Sequence, residues 1–246
     1  SRRVRRDRER RAPRITVELV AGRVHKDGAT VRLTDKEFEL VALLAANHGS
    51  LSRDRVGEAL WDHLDPDEWR NNYKVTVHRI RNKLGMHEAI ATEDGRCRLT
   101  PAIEVDLRNL ESLIRDPRPL SLTPEIRATF ETAVSAFQSG LFQRFERFGW
   151  AQALIVRMTD VVCRCGIALA VDAKERGLAA EALSRLSDVR DVDPLNEEAC
   201  EIMIRMLLEQ GNRDAARHEL QRYAAVLAKE LGASPSPTLV HLVRDA

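Results

Sequence analysis

The sequence predicts a mainly α protein in two modules: a small one of short strands and three helices, then an all-helical stretch. Three observations carry that prediction. Phe, Trp and Tyr make up only 4% of the 246 residues, too few for a sandwich or barrel of aromatic-rich strands. Alternating apolar patterns are confined to residues 15–33 and 90–100, while helical spacing fills the rest. Gly and Pro then punctuate the second half at helix-length intervals. A hydrophobic content of 43% excludes a wholly disordered chain.

Taken in order, residues 1–14 carry eight arginines against Asp7 and Glu9, and residues 1–13 are expected to form a disordered arm. Such an arm suits a DNA-tracking tail, the flank of a membrane span outside this chain, or a solubilising linker. Ile15 to Val20, Gly22 to His25 and Thr30 to Leu33 read as three strands of an antiparallel sheet, with Asp27-Gly28 as the turn signal. Thr34-Asp35-Lys36-Glu37 is a capping box. It opens a helix with Phe38, Val41, Leu44 and Ala45 on one face, closed by Gly49. Ser52 caps a second helix bearing Val56 and Leu60. The polar stretch Asp62–Asp67, with Pro66, separates it from a third helix of about Trp69 to Leu84, stopped by Gly85. Ile90 to Thr92, a Glu93-Asp94-Gly95 turn and Arg96 to Thr100 form a hairpin.

From Asp106 helix follows helix, with breaks at Asp116–Pro119, Gly140, Gly177, Asp193-Pro194, Gly211 and Gly232–Pro237. Gly177, Ala182 and Leu186 recur 34 residues on as Gly211, Ala216 and Leu220. That period is the tetratricopeptide (TPR) spacing, although an ordinary antiparallel bundle would use the same residues. The expected organisation is an arm over 1–13, a first domain over 14–103 and a TPR-like domain over 104–246.

The net charge of +1 hides an asymmetry. Residues 70–84 hold Arg70, Lys74, Arg79, Arg81 and Lys83 and no acid, whereas residues 177–246 hold eight cations and twelve acids. An apolar stripe of Tyr73, Val77, Ile80 and Leu84 buries one side of the third helix. The other side is expected to present Asn72, Thr76, Arg79 and Lys83, flanked by Arg70, Asn71 and Lys74. An α-helix fits the major groove of duplex DNA, where Arg reads guanine and Asn reads adenine. Arg53 and Arg55 on the second helix would meet phosphates. Arg96 and Arg98 share one strand face and suit an adjacent minor groove. His78 is expected to be solvated or packed, with a phosphate contact as the lesser reading, and Trp61 and Trp69 to pack, with a polymerase contact as theirs. Phe142, Phe145, Phe148 and Trp150 are expected to join the helical domain to its neighbour, or to line a ligand pocket.

Other chemistry finds no support. Cys97, Cys163, Cys165 and Cys200 form no CxxC pair, which argues against a zinc site or a disulfide framework. No GxSxG, HExxH or phosphate loop is present, so neither an enzyme nor a cofactor is expected. The most apolar run, Ala151 to Ala173, is interrupted by Arg157, Asp160 and Arg164 and does not read as a membrane span. A cytoplasmic location is expected, with a membrane tether as the variant if Ser1 begins a fragment.

Several runs carry a family resemblance. Leu33-Thr34-Asp35-Lys36-Glu37-Phe38-Glu39-Leu40 resembles the first helix of OmpR/PhoB-type winged helices. Leu51-Ser52-Arg53-Asp54-Arg55-Val56-Gly57-Glu58-Ala59-Leu60-Trp61 resembles their second. Asn71-Asn72-Tyr73-Lys74-Val75-Thr76-Val77-His78-Arg79-Ile80-Arg81-Asn82-Lys83-Leu84-Gly85 resembles the recognition helix of SARP-type regulators, in which a bacterial transcriptional activation domain (BTAD) follows. Val105-Asp106-Leu107, Asp193-Pro194-Leu195-Asn196-Glu197-Glu198-Ala199 and Leu231-Gly232-Ala233-Ser234-Pro235-Ser236-Pro237 resemble segments of that domain.

The resemblance implies a winged helix-turn-helix followed by a TPR-like domain, and a transcriptional activator binding direct repeats in promoters. The implied DNA contacts are Arg53, Arg70, Asn71, Asn72, Lys74, Thr76, Arg79 and Lys83, with Arg96 and Arg98 on the wing. The loop with Asp62, His63, Asp65 and Asp67 would touch RNA polymerase. A homodimer on DNA and a small-molecule or protein signal on the helical domain are further expectations. Cys97 stands near the place of an aromatic in many relatives. The alternative is a TPR-like sensor or adaptor for a protein or small ligand, with a winged helix not used for DNA.

Overall fold

The structure of the chain is a computed structural model that describes residues 13–115 and 122–244. The Arg-rich arm up to residue 12 and the break at Asp116–Pro119 lie outside the described residues. Two compact units emerge. One runs through Asn109 and includes Gly140–Val156; the other holds Leu110–Ser139 and the chain from Arg157 onward. The stretch Gly140–Val156, assigned by its sequence to the helical domain, thus groups with the first unit.

In the first unit, β1 (Ile15–Glu18), β2 (Arg23–Lys26) and β3 (Ala29–Thr30) form the expected antiparallel order, but β3 ends at Thr30 instead of running from there to Leu33. Asp27 and Gly28 both adopt positive φ at the tight turn, the backbone that an Asp-Gly hairpin supplies. The strand β1 ends at Glu18, short of the expected Val20, because the next two amides leave the ladder. Leu19 N donates to Asp106 Oδ1 at 2.7 Å and Val20 N to Asp106 Oδ2 at 3.2 Å.

Helix α1 (Asp35–Ala46) follows with its capping box formed. Thr34 Oγ1 accepts from Glu37 N, and Thr34 N donates to Glu37 at 2.7 Å. Next come β4 (Leu51–Ser52), α2 (Arg53–Trp61) and α3 (Pro66–Leu84). Helix α3 starts three residues earlier than its apolar stripe suggests. Asp65 is the N-cap, accepting from Asp67 N and Glu68 N at 3.0 Å, and Pro66 fills the first helical position, where a missing N–H costs nothing.

The hairpin β5 (Ile90–Glu93) and β6 (Arg96–Leu99) turns at Asp94-Gly95, again with two positive φ angles. A third strand is added to it by β4, in the order β4-β6-β5. Strand β7 (Ile103–Val105) returns to lie parallel to β1, completing the order β3-β2-β1-β7. Neither pairing follows from a local sequence pattern, since each joins strands more than forty residues apart.

Helix α4 (Asp106–Arg115) begins at that junction. Arg108 donates to the carbonyls of Ala45 at 2.9 Å and Asn47 at 2.6 Å, covering the C-terminal end of α1. Segment 140–156 enters as two short 3-10 turns, Leu141–Phe145 and Gly149–Ala151. The Phe145 ring meets Phe38 at 5.6 Å, Arg144 lies 3.9 Å over Phe38, and Trp150 Nε1 donates to Glu39 at 3.2 Å. Phe145 and Trp150 thus pack on α1, within the first unit, and Phe148 stacks on Trp150 at 5.9 Å.

The second unit is all helical: α5 (Pro124–Gln138), α6 (Gln152–Glu175, its part from Arg157), α7 (Ala179–Val192), α8 (Glu197–Glu209), α9 (Arg213–Leu231) and α10 (Pro237–Arg244). Consecutive helices from α7 to α10 pack on one another. Gly177 and Gly211 take the same positive φ, 77° and 75°, and Ala182 and Ala216 are both fully buried, as the 34-residue period predicts. A Cβ on Gly166 would sit 2.5 Å from Val189, so α6 and α7 cross closely there. Between α7 and α9, buried Arg190 pairs with buried Glu219. Among the described residues no helix is long and apolar enough to cross a membrane.

Asp106 sits half-buried where β7 runs into α4. Burial pushes it up to about 6 from 3.8, against the three backbone N–H groups of Leu19, Leu107 and Val20 that favour its charge. A raised carboxyl favours the folded state when protonated, so its contribution is full below about 3.8 and fades as pH rises through about 6. Asp106→Asn should remove that slope. Urea titrations at pH 4, 5, 6 and 7 should show the variant gaining on the wild type between pH 4 and 6, then running parallel to it.

Candidate nucleic-acid interface

Helix α3 is held by one buried ridge: Trp69, Tyr73, Val77, Ile80 and Leu84. Three further contacts fix its roll and tilt. The Trp69 ring lies on the backbone of α2, where a Cβ on Gly57 would come within 2.7 Å of it. Arg81 donates to the Ile90 carbonyl on the hairpin at 2.6 Å. Lys83 donates to Glu37 Oε2 on α1 at 2.5 Å. Burial pushes Glu37 up, yet the bonds from Lys83 and Thr34 outweigh it and hold the carboxyl below its usual range.

That roll takes one expected groove residue, Thr76, off the outward face and ties another, the exposed Lys83, to α1. Thr76 is only 9% exposed, and Lys83 is engaged with Glu37. At 100° per residue, Thr76 falls roughly 70° from the centre of the ridge, still inside a buried arc. Asn71, Asn72, Lys74, Val75, His78, Arg79 and Asn82 are exposed, and His78 Nε2 and Asn82 Nδ2 are 2.9 Å apart. Val75, His78 and Asn82 went unselected by sequence; the angle opposite the ridge would have picked them out. Arg70 is exposed, 5.3 Å over Trp69 and 3.5 Å from Asp67.

Around this face lie the other expected residues. Arg53, Arg70 and Lys74, with Asp54, Trp69, Tyr73 and Gly95, line a cleft of about 320 Å³ between α2, α3 and the wing turn. On the wing, Arg96 is tied to Ser50 Oγ at 2.7 Å, and Arg98 is exposed on the same strand face. Lys74, Arg79 and Arg98 have no ion-pair partner among the described residues. Asp62, His63, Asp65 and Asp67 are all exposed on the loop leading into α3, although Asp65 serves as the helix cap. The four thiols are buried; burial pushes Cys163 and Cys165 up to about 12 and Cys200 to about 11. No His/Cys/Asp/Glu cluster suited to a metal occurs among the described residues.

The profile of the bacterial transcriptional activator domain matches residues 105–245, more than half of the chain. The chain belongs to that family. Residues 28–96 match the C-terminal domain of transcriptional regulatory proteins, which makes this regulator SARP-type: an OmpR/PhoB-type winged helix joined to a BTAD. It is similar to the transcriptional regulatory protein CutR of Streptomyces coelicolor and that of Streptomyces lividans, 36% identical to each over 73 residues. The match spans 29% of the regulator and only 33% of either relative. Among solved structures, Mycobacterium tuberculosis EmbR in complex with a low affinity phosphopeptide superposes with a TM-score of 0.74 at 20% identity. That superposition covers 94% of the regulator and 64% of EmbR. At that identity the likeness concerns the fold.

Two substitutions test how α3 is seated. Gly57→Ala should destabilise, because the clash with Trp69, on the order of 1–3 kcal/mol, exceeds the helix-propensity gain of at most about 1 kcal/mol; a lower thermal midpoint would show it. Lys83→Met should cost about 1–3 kcal/mol in urea unfolding by stranding the Glu37 carboxylate.

Proposed function

We propose that this regulator binds promoter DNA sequence-specifically and activates transcription. The observation that carries this reading is the exposed face of α3: from residue 70 to 84 it holds no carboxylate, and it offers amides, an imidazole and the unpaired Arg79 beside the cations of the cleft and wing. In this reading α3 lies in the major groove. Arg79 reads guanine and Asn71 or Asn72 adenine. Arg53, Arg70 and Lys74 take backbone phosphates. Arg96 and Arg98 approach the minor groove. Two copies on direct repeats would turn the loop with Asp62, His63, Asp65 and Asp67 toward RNA polymerase.

In vitro selection of duplex DNA by the purified chain, followed by gel shifts, tests this. Affinity should fall steeply with salt as phosphate contacts release counterions, and selected sites should show repeated half-sites. Arg79→Ala should weaken specific binding by about 1–3 kcal/mol while barely changing binding to random duplex. Equal loss on both would make Arg79 a phosphate contact. Absence of any duplex preference at about 100 mM salt would defeat the reading and favour a TPR-like adaptor.

A further inference from the structure

We propose that Val75 is a specificity-determining residue that reads the 5-methyl group of a thymine in the operator. The inference rests on the DNA-binding reading above and adds to it one base and one side chain. Val75 is 39% exposed, and it is the one exposed large aliphatic on α3. It sits roughly 170° around the helix from the centre of the buried ridge, so nothing in its own unit covers it. Asn71, one turn before, and His78 and Asn82, in the two turns after, run along the same exposed stripe, with Lys74 and Arg79 on either side.

Folding gives no reason for a valine there. A β-branched residue on an exposed helix face has lower helix propensity than Ala, Lys or Glu, and its apolar surface stays in water. Against a major groove the same side chain has one natural complement. Of the four bases, thymine alone presents a methyl group on that edge, and apolar side chains contact it. The polar neighbours cannot supply that discrimination, since their amide and cationic groups address acceptors and donors. A valine framed by two amides and an arginine therefore points to an A·T pair in each half-site, placed where α3 crosses the groove centrally.

Replacing thymine by deoxyuridine removes only the methyl group, and that gives the test. From the selected duplex, each thymine is changed singly to uracil and binding is measured for the wild type and for Val75→Ala. One thymine per half-site should be found whose change weakens wild-type binding about three- to five-fold, the worth of one buried methyl-sized group. Val75→Ala should bind the thymine and uracil duplexes equally, both near the wild type's uracil value. Being exposed and a better helix former, the alanine variant should keep the wild-type thermal midpoint. If wild-type binding is salt-dependent and sequence-specific but indifferent to every uracil, the proposal is wrong while the DNA-binding reading stands. Full discrimination retained by Val75→Ala would also overturn it, and failure to select any duplex would remove both.

Discussion

Everything in the first unit that could meet a ligand depends on which side of α3 is buried. Trp69, Tyr73, Val77, Ile80 and Leu84 go under, and each such side chain is worth on the order of 1.5–3 kcal/mol when removed from water. Rolling the helix by one residue would exchange that ridge for amides and cations, so packing alone fixes the presented face. The Trp69–Gly57 contact, the Arg81–Ile90 bond and the Lys83–Glu37 pair then hold the helix at its start, its last turns and its end. A reading surface carried in this way has a preorganised backbone, and the ordering left for a partner's arrival is that of the exposed side chains.

Local chemistry makes much of this legible in the sequence. The capping box at Thr34 and Glu37, the two Asp-Gly turns and the left-handed Gly85 stop are encoded within four residues of where they act. The 34-residue echo from Gly177 to Gly211 is likewise a pattern of the chain itself. What escaped depends on partners distant in sequence. Strand β7 pairs with β1 across nearly ninety residues, and the short β4 exists only because β6 is there to receive it. The proposed interface shows the same division. The acid-free stretch from residue 70 to 84 and its cations are plain in the sequence, but the expected outward set lies on the flank of the ridge rather than at its antipode. Thr76 was thereby chosen and Val75 missed.

In the second unit, repetition supplies the frame and a polar exception fixes it. The buried Ala182 and Ala216 occupy matching places, yet Arg190 and Glu219 have no counterpart one period away. Their pair, with Arg190 also 5.3 Å over the Tyr223 ring, distinguishes one helix junction from an otherwise similar neighbour. A buried charge left alone is costly, so this contact disfavours slipped stackings that the apolar repeat by itself would tolerate.

Residues 140–156 close the first unit from afar in sequence. Phe145 lies on Phe38 and Trp150 bonds to Glu39, so the unit that begins the chain is discontinuous. A gene fragment ending near residue 105 would express Phe38 bare and Glu39 without its indole donor. Moving residues 13–109 without 140–156 would leave that ring contact and that indole bond behind.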